Sequence, residues 1–316
     1  MNSLVPALKP TMYFIGVSTA KSSIMKVFPE WAKFLRLGDC RIKGIDCKWH
    51  DDPEVYRDIV KFIKDDPLSL GALVTTHKLD LLKACRDMFE ELDPYAKMLG
   101  EISSISKQDG KLAGHAKDPI TSGLSLQTLV PRGYWQKAGA DMCILGAGGS
   151  SLALTMYLMK DAPADERPAR IYVTNRSTPR LEEMQCIHKK INPGIKLEYI
   201  HAPNAEDNDR VVKRLKSGSL VVNATGLGKD APGSPLTNNA IFPENGMVWD
   251  FNYRGELVFL DQAKAQEKSR NLKIEDGWIY FLHGWTRVIA EVFHINIPTQ
   301  GPVFDKLSEI AAETRK

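Results

Sequence analysis

Residues 141–158 read DMCILGAGGSSLALTMYL, and this stretch decides the fold. Met142, Cys143, Ile144 and Leu145 form a short apolar run with the character of a buried strand. A glycine cluster follows, and residues 152–158 leave it with helical patterning. Strand, glycine turn and helix are the context in which a glycine fingerprint means phosphate binding. Glycines let the backbone approach a pyrophosphate, and the helix N-terminus adds unpaired N–H groups and a positive dipole end. Gly146 and Gly148 fit the G-x-G-x-x-G pattern, but its third position holds Ser151. Taken alone, the cluster is also compatible with a structural turn.

The surrounding pattern supports the first interpretation. Downstream, strands are predicted over 170–174, 196–200, 220–223 and 247–251, alternating with helices over 178–191, 205–215 and 259–268. That alternation is what a doubly wound parallel sheet requires. Upstream, strands are predicted over 11–17, 44–49, 70–75, 100–105 and 111–116, with helices after the first three, the second of them starting at Pro53 behind Asp52. Phe28 and Trp31 fall at core spacing on the first of these helices. The first 120 residues are therefore a second α/β layer. A connecting helix over 120–129 and a polar break at Pro131, Arg132 and Gly133 mark the boundary region.

Composition narrows the class. At 316 residues the chain is comfortable for two domains. With 43% hydrophobic and 26% charged residues it reads as an ordinary globular protein. A net charge of +3 is too small to imply nucleic acid or a membrane surface as partner. The five cysteines are scattered without C-x-x-C spacing, which points to reduced thiols and no metal site. Residues 1–10 lack the pattern of a secretion signal, and no run has the length of a membrane span. A cytoplasmic protein, monomeric or homodimeric, is expected.

Chemistry concentrates in a few places. After the second strand of the downstream sheet, residues 174–180 read TNRSTPR. An NAD enzyme normally has an acidic residue there; this chain has Asn175, Arg176, Ser177 and Arg180. A guanidinium suits a ribose 2′-phosphate by charge and by its fork of donors, so NADP is favoured over NAD. Asn223, Ala224, Thr225 and Gly226 end another strand at the ligand-binding edge. Lys78 and Asp118 each follow an apolar strand of the first layer. Hydride transfer from an alcohol needs a group to take the hydroxyl proton, and a lysine oriented by a carboxylate supplies one. A surface ion pair is the competing interpretation of that pair.

These segments, in this order, resemble the shikimate/quinate dehydrogenase family over nearly the whole chain. Residues 16–25 resemble the family's G-x-P-x-x-H-S-x-S-P segment, and residues 74–78 its V-T-x-P-x-K segment, which carries the catalytic lysine. Residues 100–104 and 114–118 resemble G-x-V-N-T and G-x-N-T-D. Gly146, Ala147, Gly148, Gly149 and Ser150 match its GAGG(A/S) turn, residues 175–180 its NADP clamp, 223–228 its N-(A/S)-T-x-x-G loop and 250–253 its D-x-x-Y motif. Residues 277–284 resemble the closing G-x-x-M-L-x-x-Q. The resemblance implies an α/β fold with an N-terminal substrate domain, 1–125 with returning helices in 280–316. A Rossmann-type NADP-binding domain is implied at 126–279, with the active site in the cleft between the two. It also implies Lys78 and Asp118 as catalytic residues and a small-molecule substrate.

The departures bear on the substrate. Of the two serines that bind the shikimate carboxylate in the family, Ser22 is present and Ile24 replaces the other. Ser103 stands for an asparagine, Thr75 or Thr76 for the threonine in a segment one residue shorter, Ala116 for a second asparagine and Gly284 for the closing glutamine. Each lost polar partner leaves a shikimate group unpaired, at roughly 1–3 kcal/mol apiece. Lys21, His77, His115, His283 and Trp285 introduce different chemistry, with a buried structural role as the competing interpretation for each histidine. Ser22, Thr75, Ser103 and His283 are the expected substrate-binding residues. The expected function is reversible hydride transfer between NADP(H) and a small alicyclic hydroxy or keto compound. The alternatives are a shikimate or quinate dehydrogenase with a rebuilt pocket, or a non-catalytic metabolite-binding regulator.

Overall fold

The computed structural model describes residues 4–191, 194–229 and 231–315. They form two compact units, Met1–Lys117 with Leu282–Lys316, and Asp118–Phe281.

The first unit is built on a six-stranded mixed sheet in the order β2-β1-β3-β5-β6-β4. Its strands are β1 (Thr11–Gly16), β2 (Arg41–Asp46), β3 (Ser69–Val74), β4 (Glu91–Leu92), β5 (Ser104–Gln108) and β6 (Lys111–His115). β1 is buried along its whole length, as a central strand covered on both faces must be. It pairs in parallel with β2 and β3. β5 and β6 form an antiparallel hairpin whose turn residues, Asp109 and Gly110, both have positive φ, the signature of the tight turn that matches strand twist. The helices are α1 (Ile24–Phe34), α2 (Pro53–Asp65), α3 (Lys78–Cys85) and α4 (Pro94–Leu99). Asp52 caps α2 by accepting from the Glu54 amide at 2.9 Å, and Asp93 caps α4 through the Ala96 amide at 2.7 Å. α1 buries Ile24, Val27, Phe28 and Trp31 at helical spacing, and the Trp31 indole donates to the Leu307 carbonyl at 2.8 Å.

The second unit has a fully parallel sheet in the order β12-β11-β10-β7-β8-β9. Its strands are β7 (Met142–Leu145), β8 (Arg170–Asn175), β9 (Lys196–His201), β10 (Leu220–Asn223), β11 (Met247–Asp250) and β12 (Lys273–Glu275). Counted from β7, this is the 3-2-1-4-5-6 order of a Rossmann fold, with the switch point between β7 and β10. Its helices are α5 (Asp118–Leu129), α6 (Tyr134–Ala138), α7 (Gly149–Lys160), α8 (Thr178–Lys189), α9 (Ala205–Lys213), α10 (Val258–Lys264) and α11 (Glu267–Arg270). α12 (Trp278–Val292) starts in this unit and ends in the first, where α13 (Pro302–Arg315) also lies.

Several predicted boundaries move. The units divide at Lys117/Asp118 and Phe281/Leu282, where boundaries at 125/126 and 279/280 were expected. The reason is that α5 packs along α7: a Cβ on Gly123 would fall 2.3 Å from the Tyr157 ring. Gly123→Ala therefore overpacks this seam and is expected to cost about 1–3 kcal/mol. It should appear as a lower urea midpoint with an unchanged m-value. β2 begins three residues before its predicted start. β5 begins only at Ser104, because Gly100 serves as the left-handed C-cap of α4.

Candidate functional site

In the second unit, β7 hands over to Gly146 at φ +101. A Cβ there would sit 3.0 Å from the Ala224 carbonyl oxygen, so the turns after β7 and β10 approach too closely for any side chain. Gly148 is the N-cap of α7, and a Cβ on it would meet nothing within 4 Å. No side chain caps this twelve-residue helix, which leaves the amides at its start open to a ligand. Ser151, at the motif's third position, donates to the Gly146 carbonyl at 2.6 Å and is fully buried. A hydroxyl closes the turn here, where the fingerprint has glycine.

Most of the predicted cofactor residues brace this loop. Asn175 accepts from the Ala147 amide at 3.2 Å and donates to the Ser177 carbonyl at 3.1 Å. Arg180 donates from Nε to the Ala147 carbonyl at 3.1 Å and pairs with Glu183. Asn223 accepts from both the amide and the hydroxyl of Thr225, and Thr225 in turn accepts from the Leu227 amide. Gly226 completes that loop at φ +75. Arg176 differs: it is exposed, and its guanidinium has no ion-pair partner among the described residues. An open helix N-terminus with Gly148, Gly149 and Ser150, plus an unpaired guanidinium after β8, fits a dinucleotide carrying an extra ribose phosphate. The loop 224–233 is described apart from residue 230.

Beneath the Asn223 loop lies Asp250, 0% exposed, which accepts from Asn223 Nδ2 at 3.1 Å and from the Asn252 amide at 2.8 Å. Burial pushes its pKa up to about 6, against the opposing pull of those donors. The folded state then holds a proton that the unfolded chain releases between about pH 4 and 6, so this carboxyl's contribution to stability falls as pH rises through that window. Asp250→Asn removes the titration. Its stability relative to the wild type should rise by about 2 kcal/mol from pH 4 to pH 7, measured by urea unfolding at the two values. The buried histidines are common to both proteins and cancel in that difference.

In the first unit, the expected residues gather at the C-terminal ends of β1 and β3. Ser22 follows a 3-10 turn and is half-buried, while Ile24 is 0% exposed and opens the core face of α1. Thr75, half-buried, hydrogen-bonds through its amide to Ile15 at 3.0 Å, and Lys78 is the first residue of α3. Ser103 Oγ accepts from the Lys117 amide at 2.8 Å, and the residue is buried. His283 is buried as well. It is 2% exposed, its ring stacks on Phe304 at 4.5 Å, and burial takes its pKa down to about 4. The register of α12 turns it into the core. Gly284 beside it has open space where a side chain would begin.

Two arrangements escape sequence reasoning. Lys117 is buried with Nζ 2.5 Å from Glu291 and 3.9 Å from Asp93, and His115 bonds to Ser106 at 2.9 Å within the same cluster. Burial pushes Glu291 up, but the Lys117 ammonium outweighs it and holds the carboxyl below its usual range. Nothing in the sequence links residue 291 to this group. The second is a buried contact between His77 and Tyr56, Nδ1 to hydroxyl, at 3.0 Å. A groove of about 340 Å³ lined by Leu215, Phe242, Pro243 and Arg270 lies at the N-terminal end of the second sheet, opposite the glycine loop. Among the described residues no cluster could hold a metal ion, and no helix is long and apolar enough to cross a membrane.

By fold and loop, the second unit is a Rossmann-type nucleotide-binding domain, joined to an α/β unit with a mixed sheet. In sequence the chain is similar to NADP(+)-dependent shikimate dehydrogenases. It is 27% identical over 185 residues to the NADP(+) shikimate dehydrogenase of Streptococcus thermophilus, covering 56% of this chain and 58% of that one. The match thus spans less than two thirds of the relative. The shikimate dehydrogenase of Aquifex aeolicus has the same fold, with a TM-score of 0.73 at 19% identity over 98% of this chain and 99% of that one. So does the 5-ketofructose reductase of a Gluconobacter species, with a TM-score of 0.69 at 17% identity over 96% and 98%. No family model matches the chain.

Proposed function

We propose that this chain is an NADP-dependent oxidoreductase acting on a small alicyclic hydroxy or keto compound, with Lys78 and Asp118 as its proton-transfer pair. The observation that carries the cofactor half is the uncapped start of α7 beside Arg176, where the neighbouring polar groups are already spent on bracing the loop. Bound there, NADP supplies the hydride acceptor in oxidation and the donor in reduction. The amides of Gly149 and Ser150 would hold the pyrophosphate, and Arg176 the 2′-phosphate. In oxidation Lys78 takes the hydroxyl proton; in reduction it returns a proton to the developing alkoxide. Asp118 orients the ammonium.

The substrate half departs from shikimate. Ile24 is core, Ser103 is committed to the Lys117 amide, His283 is stacked on Phe304, and Gly284 has no side chain. Ser22 and Thr75 remain as half-buried hydroxyls in the loops that follow β1 and β3. A 5-ketofructose reductase of the same fold supports a neutral polyol or ketone as an occupant. The second reading, a shikimate or quinate dehydrogenase, rests on the names of the curated relatives. Steady-state assays with both acids and with neutral cyclic polyols separate the two. The proposal expects kcat/KM for either acid to lie below that for the best neutral compound, and the reverse ranking restores the second reading.

A further inference from the structure

The link between β3 and Lys78 is only three residues long, and its conformation is unusual. The His77 amide donates to the Thr75 carbonyl, closing a three-residue turn centred on Thr76 at φ +58. A β-branched residue in that region is a genuine outlier, and γ-turns of this hand are rare and strained. Both ends of the turn are pinned. On one side Val74 and Thr75 donate to the carbonyls of Ser103 and Ile15 at 2.9 and 3.0 Å. On the other side is His77, the N-cap of α3, whose carbonyl accepts the helix's first bond from Leu81 at 2.9 Å.

An N-cap residue normally turns its side chain back onto the helix amides. His77 does not: it makes no side-chain cap, and its ring is buried at 1% exposure against Tyr56. Tyr56 is itself buried in α2 and accepts from the Asp51 amide at 3.2 Å. Between the Tyr56 hydroxyl and a neutral imidazole, the tautomer decides which group donates, and either way the contact ties the ring to α2. Burial lowers the pKa of His77, in keeping with that neutral form.

We propose that His77 is a positioning residue for Lys78: its imidazole, held by Tyr56, keeps the strained turn closed and thereby sets where α3 and its first side chain begin. The proposal rests on the reading of Lys78 as the proton-transfer group, but its test does not depend on a known substrate. Strain at Thr76 persists only while the surroundings over-determine it. Without the imidazole, Thr76 relaxes to negative φ and Lys78 moves with it. Glycine at 76 has no such preference, so the turn then survives loss of the anchor.

The measurement is the acetylation rate of Lys78 by acetic anhydride in the folded protein. It is read by peptide mass spectrometry and normalised to Lys83, which is exposed on the same helix. His77→Ala is expected to change the normalised rate by about fivefold or more, and Thr76→Gly/His77→Ala to return most of the way to wild type, a coupling typical of contacting residues. Tyr56→Phe, which removes one oxygen, gives a smaller change in the same direction and serves if His77→Ala does not fold. A His77→Ala or Tyr56→Phe protein that is less stable but labels Lys78 at the wild-type rate would make His77 merely structural and overturn the proposal. So would a double variant no closer to wild type than His77→Ala. Full activity of Lys78→Ala, by contrast, would remove the catalytic reading and leave the labelling result standing.

Discussion

Lys78→Ala is expected to lower kcat for the hydroxy or keto substrate by about a hundred- to ten-thousand-fold, the range over which a positioned acid–base group contributes. The direction follows from charge. Hydride leaving an alcohol carbon requires the hydroxyl proton to go as well, and without Lys78 the alkoxide forms unassisted. Affinity for NADPH should be unchanged, because every residue assigned to the cofactor belongs to the second unit. The variant should also keep the wild-type fold, since Lys78 occupies the first turn of α3 and the buried residues of that helix are Leu81, Leu82 and Cys85. Steady-state kinetics with a parallel NADPH fluorescence titration checks both halves. A folded variant with wild-type kcat would mean that another group moves the proton.

The second large effect concerns Arg176. Hydrogen bonds between charged partners are worth about 1.5–3 kcal/mol, or roughly ten- to a hundredfold in affinity. Arg176→Ala should weaken NADPH binding by that factor and leave NADH binding nearly as it was. Arg180→Ala should behave differently. Arg180 holds the Ala147 carbonyl and Glu183, so its loss loosens the glycine loop and weakens both cofactors together. Equal affinity of the wild type for the two cofactors would remove the role given to Arg176.

The second unit was largely legible because its period is long and its central strands β7, β10 and β11 are buried along their length. Met142 to Leu145 and Leu220 to Asn223 are uninterrupted buried runs, and each leads into a glycine-containing turn. β12 escaped notice: it has three residues, two of them charged, and joins the sheet by pairing with β11. In the first unit α4 was hidden by its six-residue length, and β2 starts earlier than expected because it mixes Ile42 and Ile45 with polar residues and is mostly half-buried. Residue types alone could not separate a ligand-binding polar group from a satisfied one. The burial of Ser103 and His283 is set by distant partners, the Lys117 amide and Phe304. His77 was visible only as an unusual residue in a shortened segment. Its importance comes from the φ of its neighbour and from Tyr56, twenty-one residues earlier.

The central claim is that this chain carries out NADP-linked hydride transfer on a small cyclic hydroxy or keto compound. It is tested most directly by following the nicotinamide absorbance while the purified wild-type protein meets a panel of cyclic polyols, hydroxy acids and their ketones with each cofactor. The account predicts turnover of at least one member, faster with NADP(H) than with NAD(H). Tight NADPH binding with no turnover of any member would contradict it and favour a metabolite-binding regulator built on the same fold.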